Sequence, residues 1–200
     1  MALQTISIFL ASSAELEQDR DEFRQFISVE NDRLIQSNVY LKLIQWEYFL
    51  NAVSDTRLQD KYNEAISVCD LLVSLFYTKA GRYTAEEFDF AYKQFKDTGK
   101  PMIWTYFKQL PSTGTAVYQE DPSLTAFKKK IDTLGHFYTT YGSIDNLKYQ
   151  FKLQLDYILP KLSPGGKIND VFATVQELRQ ITQAADKIYI INHIDNAQFS

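Results

Sequence analysis

The chain has 200 residues, 45% of them apolar and 23% charged, which suits one globular domain with residues to spare. Its formal net charge of −4 argues against direct nucleic-acid binding, which takes clustered Lys and Arg against the phosphate backbone. Cys69, alone of its type, excludes an intrachain disulfide and points to a reducing cytoplasm, and no run approaches a membrane span of ~20 apolar residues or a signal peptide.

Residues 5–11 are a β-branched apolar run that predicts a first strand, stopped by Ser12-Ser13. Ser12 and Glu15 have the spacing of a capping box, so a long helix is expected next, with Leu16, Phe23, Phe26, Ile27 and Leu34 on one face. Residues 39–44 read as a strand, and 57–68 as a short helix with Leu58, Tyr62, Ala65 and Ile66 inward. Residues 71–77 are apolar almost throughout, as a central strand covered on both faces would be. After the turn 79–82 comes Tyr83-Thr84-Ala85-Glu86-Glu87-Phe88-Asp89-Phe90-Ala91, which opens a helix with Phe88, Ala91, Tyr92 and Phe95 inward and Gly99 as its C′ residue. Residues 101–107 form the fourth strand. Asp121-Pro122 is a cap followed by proline at the first helical position, with Leu124, Phe127, Ile131 and Leu134 as the stripe behind it. Residues 136–141 read as a fifth strand, and Leu147, Phe151, Leu155 and Ile158 mark a closing helix stopped by Pro160.

Parallel neighbours need crossover connections, and helices supply them, so five strands alternating with five helices predict an α/β doubly wound parallel sheet. In the flavodoxin-like order 2-1-3-4-5, with helices on both faces, the switch point lies between the first and third strands. The loops after those strands, 12–13 and 78–84, should then face one another across the crevice where ligands bind. Ser163-Pro164-Gly165-Gly166 marks a boundary, dividing residues 1–162 from a tail, 163–200, with a helical stripe and a β-like run at 188–191.

Thr84 and Glu87 carry two readings. Their S/T-x-x-E spacing is that of a second capping box. Equally, a Glu on the first turn after the third strand stands where an open α/β sheet places its chemistry. Glu86 is turned roughly 100° away around the helix and reads as solvated. The run Lys128-Lys129-Lys130 reads as a solvated face and Cys69 as a small core residue. His136 and His193 lack partners at metal-ligand spacing, so no metal site is expected. No G-x-G-x-x-G follows the first strand, which leaves a Rossmann mode of cofactor binding unsupported.

Several segments together carry a resemblance: Ile8-Phe9-Leu10-Ala11-Ser12-Ser13, Lys61-Tyr62-Asn63-Glu64-Ala65-Ile66, Leu71-Leu72-Val73-Ser74-Leu75, and Glu87-Phe88-Asp89-Phe90-Ala91 before Gly99-Lys100-Pro101-Met102-Ile103. In this order they resemble a bacterial TIR domain of a defence or signalling protein, over roughly residues 5–160, the whole expected sheet. The resemblance implies cleavage of the nicotinamide-ribose bond of NAD, a substrate here and not a cofactor, by a carboxylate at Glu87. It also implies an aromatic stacking residue four positions earlier, where this chain has Tyr83 in place of the usual Trp. Self-association through TIR loops and the tail would activate the enzyme, with Trp46 lining the cleft, anchoring the assembly loop at 49–56, or serving the core or rim. The Ser12-Ser13 amides, at a helix start, could meet the pyrophosphate. Nicotinamide leaves as a neutral molecule from a cationic ring, so one carboxylate suffices to stabilise the oxocarbenium-like transition state. Two alternatives stay open: a non-catalytic TIR interaction module, which Tyr83 in place of Trp favours, and another N-glycosidase on the same sheet, such as a nucleoside deoxyribosyltransferase.

Overall fold

A computed structural model of the protein describes residues 3–44, 58–110 and 120–161. The chain divides into two compact units, Met1–Gly142 and Ser143–Ser200. The first holds five parallel strands, β1 (Gln4–Ser12), β2 (Val39–Ile44), β3 (Leu71–Phe76), β4 (Met102–Lys108) and β5 (Tyr138–Tyr141). Their order is β2-β1-β3-β4-β5, as the alternation of elements required. The helices are α1 (Glu17–Leu34), α2 (Leu58–Val68), α3 (Arg82–Thr98) and α4 (Pro122–Thr133) in this unit, and α5 (Ile144–Ile158) in the second. The architecture is the flavodoxin-like doubly wound one, with helices on both faces of the sheet.

Strand alternation assigns the faces. Phe9, Ala11 and Leu72 point toward α2 and α3, packing with Tyr62, Ala65, Ile66, Cys69 and Ala91. Further along the same face, Phe76 and Phe107 meet Phe88 of α3 and Leu124, Phe127 and Ile131 of α4. The rings are closely set: Phe76 stacks on Phe107 with centroids 5.2 Å apart, and Phe88 meets Phe127 edge-on at 5.2 Å. The next residues along the strands, Tyr77 and Lys108, therefore point to the other face, where Lys108 reaches Asp19 of α1. Central β3 is buried at every position, as its unbroken apolar run predicts. At the amino-terminal edge of the sheet, the Asp70 carboxylate accepts from the Ser7 amide at 2.9 Å and its hydroxyl at 2.8 Å, and from Lys100 at 3.0 Å. Burial pushes its pKa up, but these bonds and the Lys100 charge outweigh that and hold it below the ordinary value.

Most stripes behave as patterned. Leu16, Phe23, Ile27 and Leu34 are buried, while Phe26 is half-buried against Phe23. Gly99 takes a φ of 77° at the end of α3, the left-handed conformation that ends a helix without a Cβ penalty. The Asp121 side chain accepts from the Ser123 amide ahead of Pro122. In the second unit, Ser143 caps α5, and Leu147, Phe151, Leu155 and Ile158 are buried. The charges on the lysine run are spent at the surface, Lys130 on Asp89 at 2.5 Å and Lys128 on Glu120.

Two caps and one strand start differ from the sequence reading. Ser12 is still in β1, and Ser13 precedes a short 3-10 turn (Ala14–Leu16) without a side-chain cap, because Glu15 is turned outward from α1 toward Thr78. Helix α3 starts at Arg82, with Gly81 at its N-cap, so Thr84 lies inside the first turn and caps nothing. Strand β5 begins at Tyr138 and not at 136. The helix α4 exit runs on through Gly135 at φ 67°, and His136 returns its amide to the Ile131 carbonyl at 3.0 Å. The boundary at 163–166, the tail through residue 200, Trp46, the 49–56 loop and His193 lie outside the described residues.

Candidate functional site

The loops after β1 and β3 meet at the carboxyl edge of the sheet, where the strand order reverses. The Glu15 carboxylate accepts from the Thr78 amide at 3.1 Å and from its hydroxyl at 2.5 Å, joining the two loops directly. Gly81 nestles against the same turn: a Cβ built on it would lie 3.8 Å from the Ser13 Cβ and 3.7 Å from the Thr84 Oγ1. The expectation that 12–13 and 78–84 face each other is thus met.

Glu87 stands one and a half turns into α3 and is only 5% exposed. Because α3 begins two residues ahead of Thr84, that residue is not the cap: the Ala85 amide already makes a helical bond to the Gly81 carbonyl at 3.0 Å, and Glu87 lies beyond the position that reaches back to a cap. Among the described residues the Glu87 carboxyl makes no hydrogen bond and no ion pair. Burial, and then the neighbouring Glu86 carboxylate, push its pKa up from 4.5 to about 8. An unpaired, buried acid costs stability, and such groups concentrate at functional sites.

The other expected site residues fall around it unequally. Tyr83 is one turn nearer the helix start and 64% exposed. Ser12 and Ser13 are half-buried, but the Ser12 hydroxyl is occupied, accepting from Arg20 Nη1 at 2.8 Å. Arg20 also donates to the Ser13 carbonyl at 3.2 Å, which fixes the turn from below. Glu86, beside Glu87 in the chain, is exposed, as its turn around the helix predicted.

A polar cluster that sequence reading did not single out sits on the α1 side of the same edge. Asp19, 5% exposed, accepts from Lys108 Nζ at 2.8 Å and from the Tyr141 hydroxyl at 2.8 Å. Burial first, then the Asp19 charge, push the Tyr141 phenol far above its ordinary pKa. Lys108 Nζ also lies 5.3 Å from the Tyr77 ring centroid. Asp19 and Arg20 thereby tie together the carboxyl ends of β1, β4 and β5. One signal was available: Asp19 and Arg20 lie between Leu16 and Phe23 on the inward stripe, where charges need a partner.

His136 is half-buried, with Nε2 2.9 Å from the Thr105 hydroxyl and its ring edge-on to Phe88 at 5.2 Å. Burial pushes its pKa down from 6.5 to about 4, so it is neutral at physiological pH. Cys69 is buried at the end of α2, its thiol pushed up to about 12 chiefly by burial. It is a core group and not a nucleophile. Among the described residues there is no group of three or more His, Cys, Asp or Glu placed to hold a metal ion, and no helix is long and apolar enough to cross a membrane.

Fold and site together define a doubly wound α/β protein with, among the described residues, an unpaired buried acid on the helix that follows the third strand. No family model matches the chain, and no curated protein does. Among solved structures, it is similar to a CMP N-glycosidase of Clostridium botulinum, at 15% sequence identity and a TM-score of 0.46, over 74% of this chain and 98% of that one.

Proposed function

We propose that the chain cleaves the N-glycosidic bond of a nucleotide, with NAD as the substrate and Glu87 as the reacting carboxyl. One observation carries this reading: Glu87 is buried at the start of α3 without cap, cation or hydrogen bond among the described residues, and so serves no evident structural purpose. In NAD the bond between the ribose C1′ and the nicotinamide nitrogen breaks, its electron pair leaves with the ring, and nicotinamide departs neutral. Positive charge accumulates on the ribose, where an ionised Glu87 stabilises it. Water then adds to C1′ and loses a proton, giving ADP-ribose. The cationic ring also helps to ionise Glu87, since an opposite charge favours the carboxylate. Resemblance to bacterial TIR domains supports NAD and a defence or signalling role with self-association, and Tyr83 has the exposure a stacking residue needs.

The acid's protonation favours a second reading, a nucleoside monophosphate with a neutral base. Such a base is a poor leaving group until protonated, and a carboxyl with its pKa near 8 holds a proton at neutral pH. Chromatography of NAD and of a panel of nucleoside monophosphates, each incubated with concentrated protein and with Glu87→Gln, tests both. The NAD reading expects nicotinamide and ADP-ribose from wild type only. A nucleobase released from monophosphates, with NAD intact, selects the second; no turnover of either leaves the chain as an interaction module.

A further inference from the structure

We infer that Glu15 is a positioning residue for the candidate site, holding the β3–α3 loop against the β1–α1 turn and so setting where Glu87 stands. The inference rests on the reading of Glu87 as the reacting carboxyl. Glu15 is exposed and at the foot of α1, where a carboxylate ordinarily serves its own helix. Here it does not: among the described residues its bonds go to the Ser13 hydroxyl at 3.1 Å and to the amide and hydroxyl of Thr78, and to no amide of α1.

Thr78 lies four residues before α3 and is held from the opposite flank as well. Its carbonyl accepts from the Asp121 amide at 3.3 Å, and the Ala80 amide donates to the Ser123 hydroxyl at 3.2 Å, which itself donates to Asp121 at 2.5 Å. The α4 flank is thus backed by a capped helix start. On the α1 flank, the hydrogen bonds to Thr78 among the described residues go to one side chain, Glu15. Without Glu15, the loop keeps a single anchor and the first turns of α3, with Tyr83 and Glu87, are free to shift away from Ser13. Misplacement of a reacting group by about 1 Å costs on the order of a hundredfold in rate.

The experiment is a double-mutant cycle: Glu15→Ala and Glu15→Gln, each with and without Glu87→Gln, in the full chain. Thermal midpoints at pH 8 and pH 4.5 read how confined the Glu87 carboxyl is, since the neutral amide relieves a buried charge only while the site stays closed. Kinetics on whichever nucleotide wild type cleaves read the consequence for turnover. Glu15→Ala is expected to shrink the pH 8 midpoint gain from Glu87→Gln to about half or less, and to lower kcat about tenfold while KM moves less. Glu15→Gln, which keeps an acceptor for Thr78, recovers part of both. An unchanged gain from Glu87→Gln overturns the inference, as does an unchanged kcat in a wild type that turns over. Should wild type cleave nothing, the proposed function fails while the thermal cycle still decides the role of Glu15. Should Glu15→Ala fail to fold, Thr78→Val removes the 2.5 Å hydroxyl partner and gives the same cycle from the other side.

Discussion

The Tyr141 hydroxyl and the Asp19 carboxylate are 2.8 Å apart, a bond between the last strand of the sheet and the first helix, 122 residues earlier. Lys108 completes the arrangement from the end of β4. With both partners in place, the buried Asp19 charge is compensated. Asp19→Ala strands the Lys108 ammonium and the Tyr141 hydroxyl and should cost about 3 kcal/mol in denaturant unfolding. Tyr141→Phe removes one bond only and should cost about 1 kcal/mol. Equal losses would mean that Lys108 contributes nothing to the pair.

Glu87→Gln is expected to abolish cleavage and to stabilise the fold at the same time. The sign follows from proton binding. Above pH 4.5 the unfolded chain has released this proton, whereas the folded protein keeps it to about pH 8, so the folded state binds more protons in that window and loses stability as pH rises through it. Gln carries no such penalty. The variant should gain about 2–4 kcal/mol over wild type at pH 8, after allowance for water reaching the site, and nothing at pH 4. A variant that is less stable than wild type at both pH values would show that Glu87 is a structural group after all.

His136 makes the opposite contribution. Below pH 6.5 the unfolded chain takes up a proton that the folded protein, with its pKa at about 4, refuses, so stability present above pH 6.5 is lost as pH falls toward 4. His136→Gln can still meet the Thr105 hydroxyl but does not titrate. Thermal midpoints of wild type should therefore fall more steeply than those of the variant between pH 6.5 and 4, by the equivalent of about 2 kcal/mol. Parallel curves would exclude His136 as a source of acid lability.

Tyr83, at 64% exposure, has little to lose from truncation. Tyr83→Ala should change stability by less than about 0.5 kcal/mol while raising KM strongly, and Tyr83→Trp should preserve KM, because stacking needs a ring face and not the hydroxyl. Normal KM in the Ala variant removes this residue from substrate binding.

The sheet was legible in the chain because its evidence is local. A run such as 71–77 cannot be amphipathic at either period and so belongs in a covered central strand, and the alternation with helical stripes then leaves few topologies. Gly99 and Asp121-Pro122 worked for the same reason, since each acts on backbone within two or three residues of itself. The two capping boxes failed because their spacing is only an offer. Glu15 found two donors on Thr78, 63 residues away, and α3 started at Arg82, with its N-cap Gly81 lying against Ser13. Position after the third strand was enough to nominate Glu87; that it is buried and unpaired among the described residues was decided by where α3 begins, a tertiary matter. Asp19, Lys108 and Tyr141 are 89 and 33 residues apart along the chain, and only closure of the parallel sheet brings their charges and hydroxyl to one edge. Residue order therefore determined the fold and which two loops meet at the switch point, because burial patterns are written in neighbouring residues. The pairing of charges across that edge, and the isolation of one carboxyl within it, arise from contacts between distant segments that no local pattern encodes.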